Sequence, residues 1–328
     1  MKPVSELRLD LVSNDWVVIA TGRAKRPETF KEHKREKESV PPEECPFCNP
    51  NIIKQGVRYR INNPDGSWRV LVVDNKYPAF AKNGTPKIKK NGVNRTIDGI
   101  GFHEIIITQD HIKQLALFSN EQVKEVIDAY QSRYLSLMKY KFIKYIAIFH
   151  NHGKEAGASV AHPHSQLIAI PVIDPDLKWS IEGATRYFKR TKKCVYCTMI
   201  EQDKKDGRVI YENEKFLVLS PFAPIVSFET RVYPKEHKPY FEKMTEEEKI
   251  LFADALRVAL YKLYKGLDDP AYNFYIHTSP CDDGDYSHYH WHLNILPKTA
   301  TWAGFELGTG IEISTIQPEK AAEFLRKQ

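Results

Sequence analysis

Apolar residues recur at helical spacing in two long stretches of the chain. The first stretch, Asn120 to Met138, has them at positions 123, 126, 127, 130, 134, 137 and 138. The second, Glu246 to Tyr264, has the same rhythm in Leu251, Phe252, Leu256, Leu260 and Leu263. This spacing places the apolar side chains on one face of a helix, so the sequence predicts two long helices. Thr245, followed by three glutamates, is typical of a capping-box start for the second helix.

The segments around the two helices also match, at a constant offset of 126 residues. The segments 101–111 and 227–237 both read as a strand that ends in an acidic residue and a histidine. At the same offset, His162-Pro-His-Ser-Gln166 falls on His288-Tyr-His-Trp-His292. Each half therefore predicts a strand, a histidine, a helix, a second strand and a histidine cluster, which indicates an internal duplication.

The duplication predicts an α+β fold with two halves, each an antiparallel sheet with one long helix packed on it. We place the first half at residues 1–172 and the second at residues 173–328. The segment 173–193 would connect them, and residues 299–328 would form a tail that ends in a short helix.

Composition narrows the functional classes. The chain has 328 residues, is 42% hydrophobic and 27% charged, and carries a net charge of +6. This charge is too small to indicate nucleic-acid binding, although it suits a pocket for a phosphorylated ligand. The sequence has no apolar run long enough for a membrane helix, and its opening stretch lacks a signal-peptide core. We therefore expect a cytoplasmic protein with reduced thiols.

Four of the five cysteines form two C-x-x-C pairs, which in a reducing compartment indicate metal binding. Each pair is completed by two histidines of the repeat, and together they predict two zinc sites of four ligands each. The predicted ligands are Cys45, Cys48, His111 and His162 in the first half, and Cys194, Cys197, His237 and His288 in the second. An alternative second site would gather Glu182, His277, His290 and His292, but it would leave Cys194 and Cys197 without a role.

His164 and Gln166 lie on the same face of the predicted strand as His162, because side chains repeat every two residues. If His162 binds zinc, both remain free for chemistry. A neutral imidazole beside a phosphate group is a nucleophile for phosphorus, and Gln166 can donate as charge develops. The alternative is that His164 itself binds metal.

A loop rich in small residues, 151–159, precedes this strand and would let backbone N–H groups approach an anion. The second half has the acidic segment 281–287 at the corresponding place, which would repel phosphate. We therefore assign the chemistry to the first half.

These motifs resemble the galactose-1-phosphate uridylyltransferase family of histidine-triad transferases, almost from end to end. His162-Pro-His-Ser-Gln166 is the most specific of them. The other matching segments follow in the family's order: 15–20, 22–27, Cys45 to Cys48, Asp74 to Pro78, 151–159, and Ala303 to Glu306. The two halves would then be histidine-triad-like.

The resemblance implies roles for individual residues. His164 would form a covalent nucleotidyl-histidine, while His162 binds zinc with Cys45, Cys48 and His111. Gln166 and Ser159 would hold the α-phosphoryl group. The resemblance also implies a set of residues that bind nucleotide, phosphate or sugar: Arg23, Arg26, Asn75, Asn151, Gly157 and Glu306. A guanidinium group suits phosphate, although Arg23 and Arg26 read without the resemblance as a solvated basic run.

The predicted function is a two-step transfer of uridylyl from UDP-glucose to a hexose 1-phosphate such as galactose 1-phosphate. Three features depart from the typical bacterial family member. They are the second C-x-x-C, the Gly-Ala-Ser sequence at 157–159, and the segment 300–310 without the family's lysine. These features look closer to the ADP-glucose phosphorylase branch, so the alternative function is a nucleotide-sugar phosphorylase that uses inorganic phosphate.

A different functional class is a zinc-stabilised nucleic-acid-binding protein, suggested by the two cysteine pairs and a pI of 8.8. Its expected basic surface is weak, because Lys and Arg cluster only at 31–37 and 87–90. We therefore expect a nucleotide sugar and a hexose 1-phosphate or phosphate as partners, and neither nucleic acid nor membrane. Pairing into a homodimer is a family-level expectation.

Overall fold

The computed structural model describes residues 4–20, 30 and 40–328. The first half contains strands β1 (Glu6–Leu9), β2 (Trp16–Ile19), β3 (Val57–Asn62), β4 (Trp68–Asp74), β5 (Ile88–Asn91), β6 (Asn94–Ile97), β7 (Phe102–Thr108), β8 (Tyr145–His152) and β9 (His164–Ile170), with helix α1 (Asn120–Leu137) between β7 and β8. The second half contains α2 (Pro175–Thr191), α3 (Val195–Lys205), β10 (Val209–Glu212), β11 (Phe216–Leu219), β12 (Thr230–Pro234), α4 (Glu246–Leu267), β13 (Tyr272–His277), β14 (His292–Pro297), α5 (Gly304–Thr309), β15 (Glu312–Ser314) and α6 (Pro318–Arg326).

One antiparallel sheet of ten strands runs through both halves, in the order β10-β11-β12-β14-β13-β8-β9-β7-β4-β3. The halves meet where β8 pairs with β13, from Tyr272 opposite His152 to Tyr275 opposite Phe149. The predicted α+β fold with antiparallel sheets is confirmed. The sequence did not indicate that the two sheets are continuous, and the domain boundary between residues 172 and 173 stays a prediction.

The two predicted helices are present and bury the predicted faces. In α1, Val123, Val126, Ile127, Tyr130 and Tyr134 are all buried in the main core. In α4, the buried core side chains are Phe252, Leu256, Leu260 and Leu263. Both helices begin with a capping box, from Ser119 to Gln122 and from Thr245 to Glu248, as predicted for the second. The helices contact each other on one face of the sheet.

The alternation of side chains along β9 explains why the histidine strand is only partly a core strand. Leu167 and Ala169 belong to the hydrophobic core with α1. His164 and Gln166 have the opposite parity and therefore lie on the other face of the sheet. That face is covered in the first half by the segment of Cys45 and Phe47, which packs on β4 and β7. His164 on this face thus packs against Phe47, which lies between the two cysteines of the first pair.

A smaller sheet of three strands, in the order β1-β2-β15, joins the beginning of the described chain to its tail. Glu312 of β15 lies opposite Val17 of β2 in a parallel pairing. Among the helices in the described ranges, none has the length and apolar character needed to cross a lipid bilayer.

Glu242, which lies just before α4, gives the fold a testable pH dependence. It is buried, and its Oε2 has no hydrogen-bond partner within the described residues. Burial raises the pKa of this carboxyl group from 4.5 to about 7. The unfolded chain therefore loses this proton at a lower pH than the folded chain, so folding stability falls as pH rises from 4.5 to 7.

We expect Glu242→Gln to match the wild type below pH 4.5 and to be more stable by roughly 3 kcal/mol at pH 8. Urea denaturation of both proteins at pH 4.5 and pH 8 measures the difference. Glu247→Gln, which changes an exposed glutamate in the first turn of α4, is the control and should follow the wild type at both values. Equal wild-type and Glu242→Gln stability at pH 8 would contradict the expectation.

Candidate functional site

The four predicted metal ligands of the first half, Cys45, Cys48, His111 and His162, come together. Their donor atoms all lie within 4.8 Å of one another. The two Nδ1 atoms of His111 and His162 are 3.3 Å apart, and Cys48 Sγ lies 3.2 Å and 3.5 Å from them. With zinc bond lengths, a tetrahedron has N–N edges of about 3.3 Å and S–N edges of about 3.6 Å. The donor set and its spacing therefore fit zinc.

Hydrogen bonds on the far side of each imidazole determine which nitrogen faces this cluster. His162 Nε2 donates to the Thr108 carbonyl at 2.7 Å, and His111 Nε2 donates to the Val40 carbonyl at 2.6 Å. A carbonyl oxygen only accepts, so Nε2 carries the proton and the Nδ1 lone pair faces the thiols. Both rings thus have the tautomer that a metal ligand needs.

The second cluster uses His290, and the prediction of His288 as a ligand is wrong. The donor atoms of Cys194, Cys197, His237 and His290 all lie within 4.8 Å of one another. Cys197 Sγ is 3.5 Å from Nδ1 of both histidines. His237 Nε2 and His290 Nε2 donate to main-chain carbonyls, as in the first cluster. His288 is instead hydrogen-bonded to Thr185 Oγ1 at 2.6 Å.

Strand pairing shows where the constant offset of 126 residues fails. Ile106 lies opposite Ser165 in the first half, and Val232 lies opposite Leu293 in the second. Ile106 and Val232 are 126 residues apart, whereas Ser165 and Leu293 are 128 residues apart. Ile148 lies opposite Leu167 and Phe274 lies opposite Ile295, so β8 and β13 still differ by 126 residues. The two additional residues therefore lie between β13 and β14, the segment that contains the acidic loop. Three alternating histidines, 288, 290 and 292, allowed both alignments in the sequence.

The alternative second site does not form among the described residues. His290 is already part of the cysteine cluster, and Glu182 is an exposed residue of α2 whose carboxylate lies 4.0 Å from Lys178 Nζ. His277 Nε2 lies 3.5 Å from Asp176 Oδ2. The correct counterpart of His164 is His292.

His164, the predicted nucleophile, is buried and has one available ring nitrogen. Its Nδ1 donates to the His162 carbonyl at 2.9 Å, which leaves the Nε2 lone pair free. Burial lowers its pKa, so the imidazole is neutral at pH 7. The Phe47 ring packs edge-on against it, with ring centres 5.0 Å apart. His164 contributes no donor to the metal-type cluster beside it.

Gln166 and Asn75 meet at a residue that the sequence analysis missed, His103 of β7. Gln166 Oε1 lies 2.8 Å from His103 Nε2, and Asn75 Nδ2 lies 3.0 Å from the same nitrogen. His103 pairs with Ile168 across the two strands, one pleat from Gln166. The sequence signal for His103 was that the segment 101–111 contains a histidine in addition to His111. The role of His103 depends on the pairing between β7 and β9.

The small-residue loop after β8 is shaped by glycine and by the second half. Gly153 and Gly157 have φ values of 85° and 83°, which a side chain would strain. Asn273 of β13 donates to Asn151 Oδ1 at 2.8 Å and to the Ala156 carbonyl at 2.7 Å. Ser159 is exposed in the same loop.

Of the three further predicted residues, Arg23, Arg26 and Glu306, the described chain includes Glu306. Arg23 and Arg26 lie outside the described residues. Glu306 accepts a hydrogen bond from the Ala303 N–H at 3.0 Å at the start of α5. Burial raises the pKa of Glu312, and the charge of Glu306 raises it further. The roles assigned to these residues stay predictions.

Comparison with known proteins gives matches over nearly the whole chain. The family model described as galactose-1-phosphate uridyl transferase, N-terminal domain, matches residues 2–173. The model described as scavenger mRNA decapping enzyme C-term binding matches residues 193–306. An ADP-glucose phosphorylase of Arabidopsis thaliana is 34% identical, over 98% of this chain and 92% of that protein. A galactose-1-phosphate uridylyltransferase of Thermotoga maritima is 30% identical, over 98% of each.

A solved structure agrees with these sequence matches. The crystal structure of the Arabidopsis thaliana ADP-glucose phosphorylase with bound ADP-glucose has a TM-score of 0.82 and 30% identity, over 99% of both chains. The duplicated fold, the histidine strand and these relatives define a nucleotidyltransferase or phosphorylase. The chain belongs to the galactose-1-phosphate uridylyltransferase family, as its motifs predicted.

Proposed function

We propose that the protein transfers a nucleotidyl group from a nucleotide sugar to a phosphate-bearing acceptor, through a covalent intermediate on His164. The observation that carries this proposal is the hydrogen bond from His164 Nδ1 to the His162 carbonyl. It leaves the Nε2 lone pair free on the strand face that also holds Gln166. A buried neutral imidazole with one free nitrogen is suited to attack phosphorus.

Two displacements complete the reaction. In the first, Nε2 of His164 attacks the α-phosphorus, a P–N bond forms, and the bond from that phosphorus to the bridging oxygen breaks to release hexose 1-phosphate. In the second, a phosphate oxygen of the acceptor attacks the same phosphorus, and the P–N electron pair returns to Nε2. Each step inverts the configuration at phosphorus, so the overall transfer retains it.

The main-chain carbonyl of His162 acts on the intermediate. When Nε2 is bonded to phosphorus, the ring gains positive charge and the Nδ1–H becomes a stronger donor. The carbonyl that accepts this proton's hydrogen bond at 2.9 Å therefore stabilises the charged ring. Gln166 supplies an N–H donor to the negative charge on the phosphoryl oxygens.

Zinc is the metal that fits both cysteine and histidine clusters. In the first cluster Cys45, Cys48, His111 and His162 would hold it. When bound, zinc would have a structural part, since four protein ligands leave no open coordination position. Through His162 the cluster fixes the carbonyl that orients His164.

Two donor and acceptor pairs are consistent with the family. UDP-glucose with galactose 1-phosphate is the pair that the sequence predicts, and the 30% identical relative of Thermotoga maritima bears the corresponding name. ADP-glucose with inorganic phosphate is the second candidate. It is favoured by the 34% identical Arabidopsis thaliana relative and by the segment 300–310, which has no lysine.

Assays of both nucleotide sugars with both acceptors test the proposal. We expect at least one of these pairs to support transfer. A kcat/KM for uridylyl transfer to galactose 1-phosphate that exceeds phosphorolysis of ADP-glucose by at least about tenfold, or about 1.4 kcal/mol, would select the uridylyltransferase. The reverse order would select the phosphorylase. Absence of transfer with all four combinations would contradict the proposed function.

A further inference from the structure

Two residues outside the predicted site control the direction in which two of its amide groups point. Gln166 and Asn151 each end in one oxygen that accepts and one NH2 group that donates, and only the NH2 group can bind a phosphate oxygen. We propose that His103 and Asn273 are positioning residues that hold both NH2 groups toward the anion. This inference rests on the proposed function and concerns the same site.

The orientation of Gln166 follows from a main-chain N–H. The Ala79 N–H donates to His103 Nδ1 at 3.3 Å, so this nitrogen must be the unprotonated one. In a neutral ring the proton then lies on Nε2, which is 2.8 Å from Gln166 Oε1. Nε2 therefore donates to the amide oxygen, and the Gln166 NH2 group is left free of partners among the described residues.

Asn75 tests this assignment of the His103 proton. Its Oδ1 accepts from the Tyr77 N–H at 2.9 Å, so its NH2 group faces the His103 ring, 3.4 Å from Nδ1 and 3.0 Å from Nε2. With the proton on Nε2, Ala79 and Gln166 both keep their hydrogen bonds, while the Asn75 NH2 group has no acceptor on the ring, because the single Nδ1 lone pair already accepts from the Ala79 N–H. With the proton on Nδ1, Asn75 can donate to Nε2 at 3.0 Å, but the bonds to Ala79 and Gln166 are both lost. The first tautomer therefore satisfies more of the contacts.

The orientation of Asn151 follows from a main-chain carbonyl. The Ala156 carbonyl can only accept, so the group that Asn273 presents at 2.7 Å is its NH2 group. The second N–H of that group reaches Asn151 Oδ1 at 2.8 Å. The Asn151 oxygen is thereby occupied, and its own NH2 group is released. Asn273 lies on β13, so the second half sets a donor of the first-half site.

Both arrangements begin at a main-chain group whose hydrogen-bonding direction cannot be reversed. A glutamine or asparagine amide without such an anchor can turn its oxygen to the anion, where it would repel phosphate. Within the part of the chain that the structure describes, the second half lacks the arrangement at the position of Gln166. There Asn294 donates to Tyr275 OH at 3.5 Å and its oxygen has no partner within the described residues, while Glu229 replaces His103. The amide direction is thus fixed in the half that contains the small-residue loop 151–159.

A double-mutant cycle tests His103. We expect Gln166→Ala to slow formation of the nucleotidyl-histidine by about 100-fold, as for loss of one donor to a developing charge. His103→Ala should slow it by about tenfold, and the double variant should be no slower than Gln166→Ala. The measurement is single-turnover labelling with UDP-glucose and with ADP-glucose. If the two effects multiply, His103 acts independently of Gln166 and the inference is wrong for it.

Asn273→Asp and Asn273→Ala test the second arrangement. The aspartate keeps the shape of asparagine but only accepts, so it should turn the Asn151 amide with its oxygen toward the anion. We expect a larger loss for Asn273→Asp than for Asn273→Ala, about 30-fold against about fivefold. A packing role for Asn273 predicts the opposite order. A loss of activity caused only by the added charge of the aspartate would shrink as salt is added. A loss caused by the turned Asn151 amide would not, so Asn273→Asp should remain slower than Asn273→Ala between 0.05 M and 0.5 M NaCl.

Equilibrium affinities for UMP and AMP, measured by calorimetry, separate this inference from the proposed function. Binding needs no covalent step. If wild-type protein binds a nucleotide but forms no nucleotidyl-histidine, the proposed function fails, and the affinities of the His103 and Asn273 variants still test the positioning roles. Unchanged affinity in His103→Ala and Asn273→Asp, with weakened affinity in Gln166→Ala, would overturn the inference.

Discussion

Replacing His164 with alanine should abolish covalent labelling of the protein and lower turnover by at least about 10⁴-fold, because the route through the P–N bond is lost. The backbone partner of this ring, the His162 carbonyl, and the metal-type cluster remain in the variant. The loss should therefore fall on the chemical step, while the affinity for nucleotide changes little. Incubation with nucleotide sugar labelled in the α-phosphate, followed by denaturation and counting of protein-bound label, measures the first effect.

His292→Ala is the matched control, because His292 is the structural counterpart of His164. Its Nδ1 donates to the His290 carbonyl at 3.1 Å, and burial lowers its pKa well below the usual range. We expect this variant to keep covalent labelling within about threefold of the wild type, as for a change outside the reacting groups. Loss of labelling in His292→Ala, with labelling retained in His164→Ala, would place the chemistry in the other half.

The two histidines have the same local geometry, so the difference between the halves lies in what surrounds them. The first half has a loop whose glycines adopt positive φ beside an asparagine with a released NH2 group. The second has buried Glu229 paired with Arg231 at 2.7 Å, and Asp10 lies 4.0 Å from the same guanidinium. Negative charge there opposes phosphate binding. Among the described residues, both halves therefore have the strand and its metal-type cluster, and they differ in the loop and the charged groups around it.

Much of the fold could be predicted because its signals are local. The faces of α1 and α4 follow from apolar spacing, and the capping box of α4 follows from Thr245 and three glutamates. The cluster of Cys45, Cys48, His111 and His162 was predictable because metal sites reuse short cysteine spacings, and the histidines repeat with them. Each of these patterns is complete within a few residues or recurs in both halves.

The site residues that the sequence did not reveal depend on pairing between strands far apart in the chain or on a change of loop length. His103 and Gln166 are 63 residues apart, and Asn151 and Asn273 are 122 residues apart. Their contacts arise only once β7 pairs with β9 and β8 pairs with β13. The wrong choice of His288 arose because a repeat was aligned without gaps, although loops tolerate added residues where strands do not.

The second large effect that we expect is a change in the number of zinc ions bound per chain. We expect wild-type protein to hold two zinc ions per chain, His290→Ala to hold one, and His288→Ala to hold two. His290 Nδ1 lies 3.5 Å from Cys197 Sγ, whereas His288 bonds to Thr185 Oγ1. Elemental analysis after dialysis against a weak chelator counts the ions. The two histidines lie only two residues apart in the loop that leads into β14, so the pair separates ligand loss from general disturbance of this segment.

Cys48→Ser extends the test to the first cluster and links metal to activity. This variant should lose the other ion, and it should also lose most transferase activity, because the His162 carbonyl that orients His164 would no longer be held. His290→Ala lies in the other half and should retain more activity than Cys48→Ser. If both single-ion variants were equally active, the first cluster would stabilise the fold without orienting the nucleophile, and the structural link from metal to His164 would be wrong.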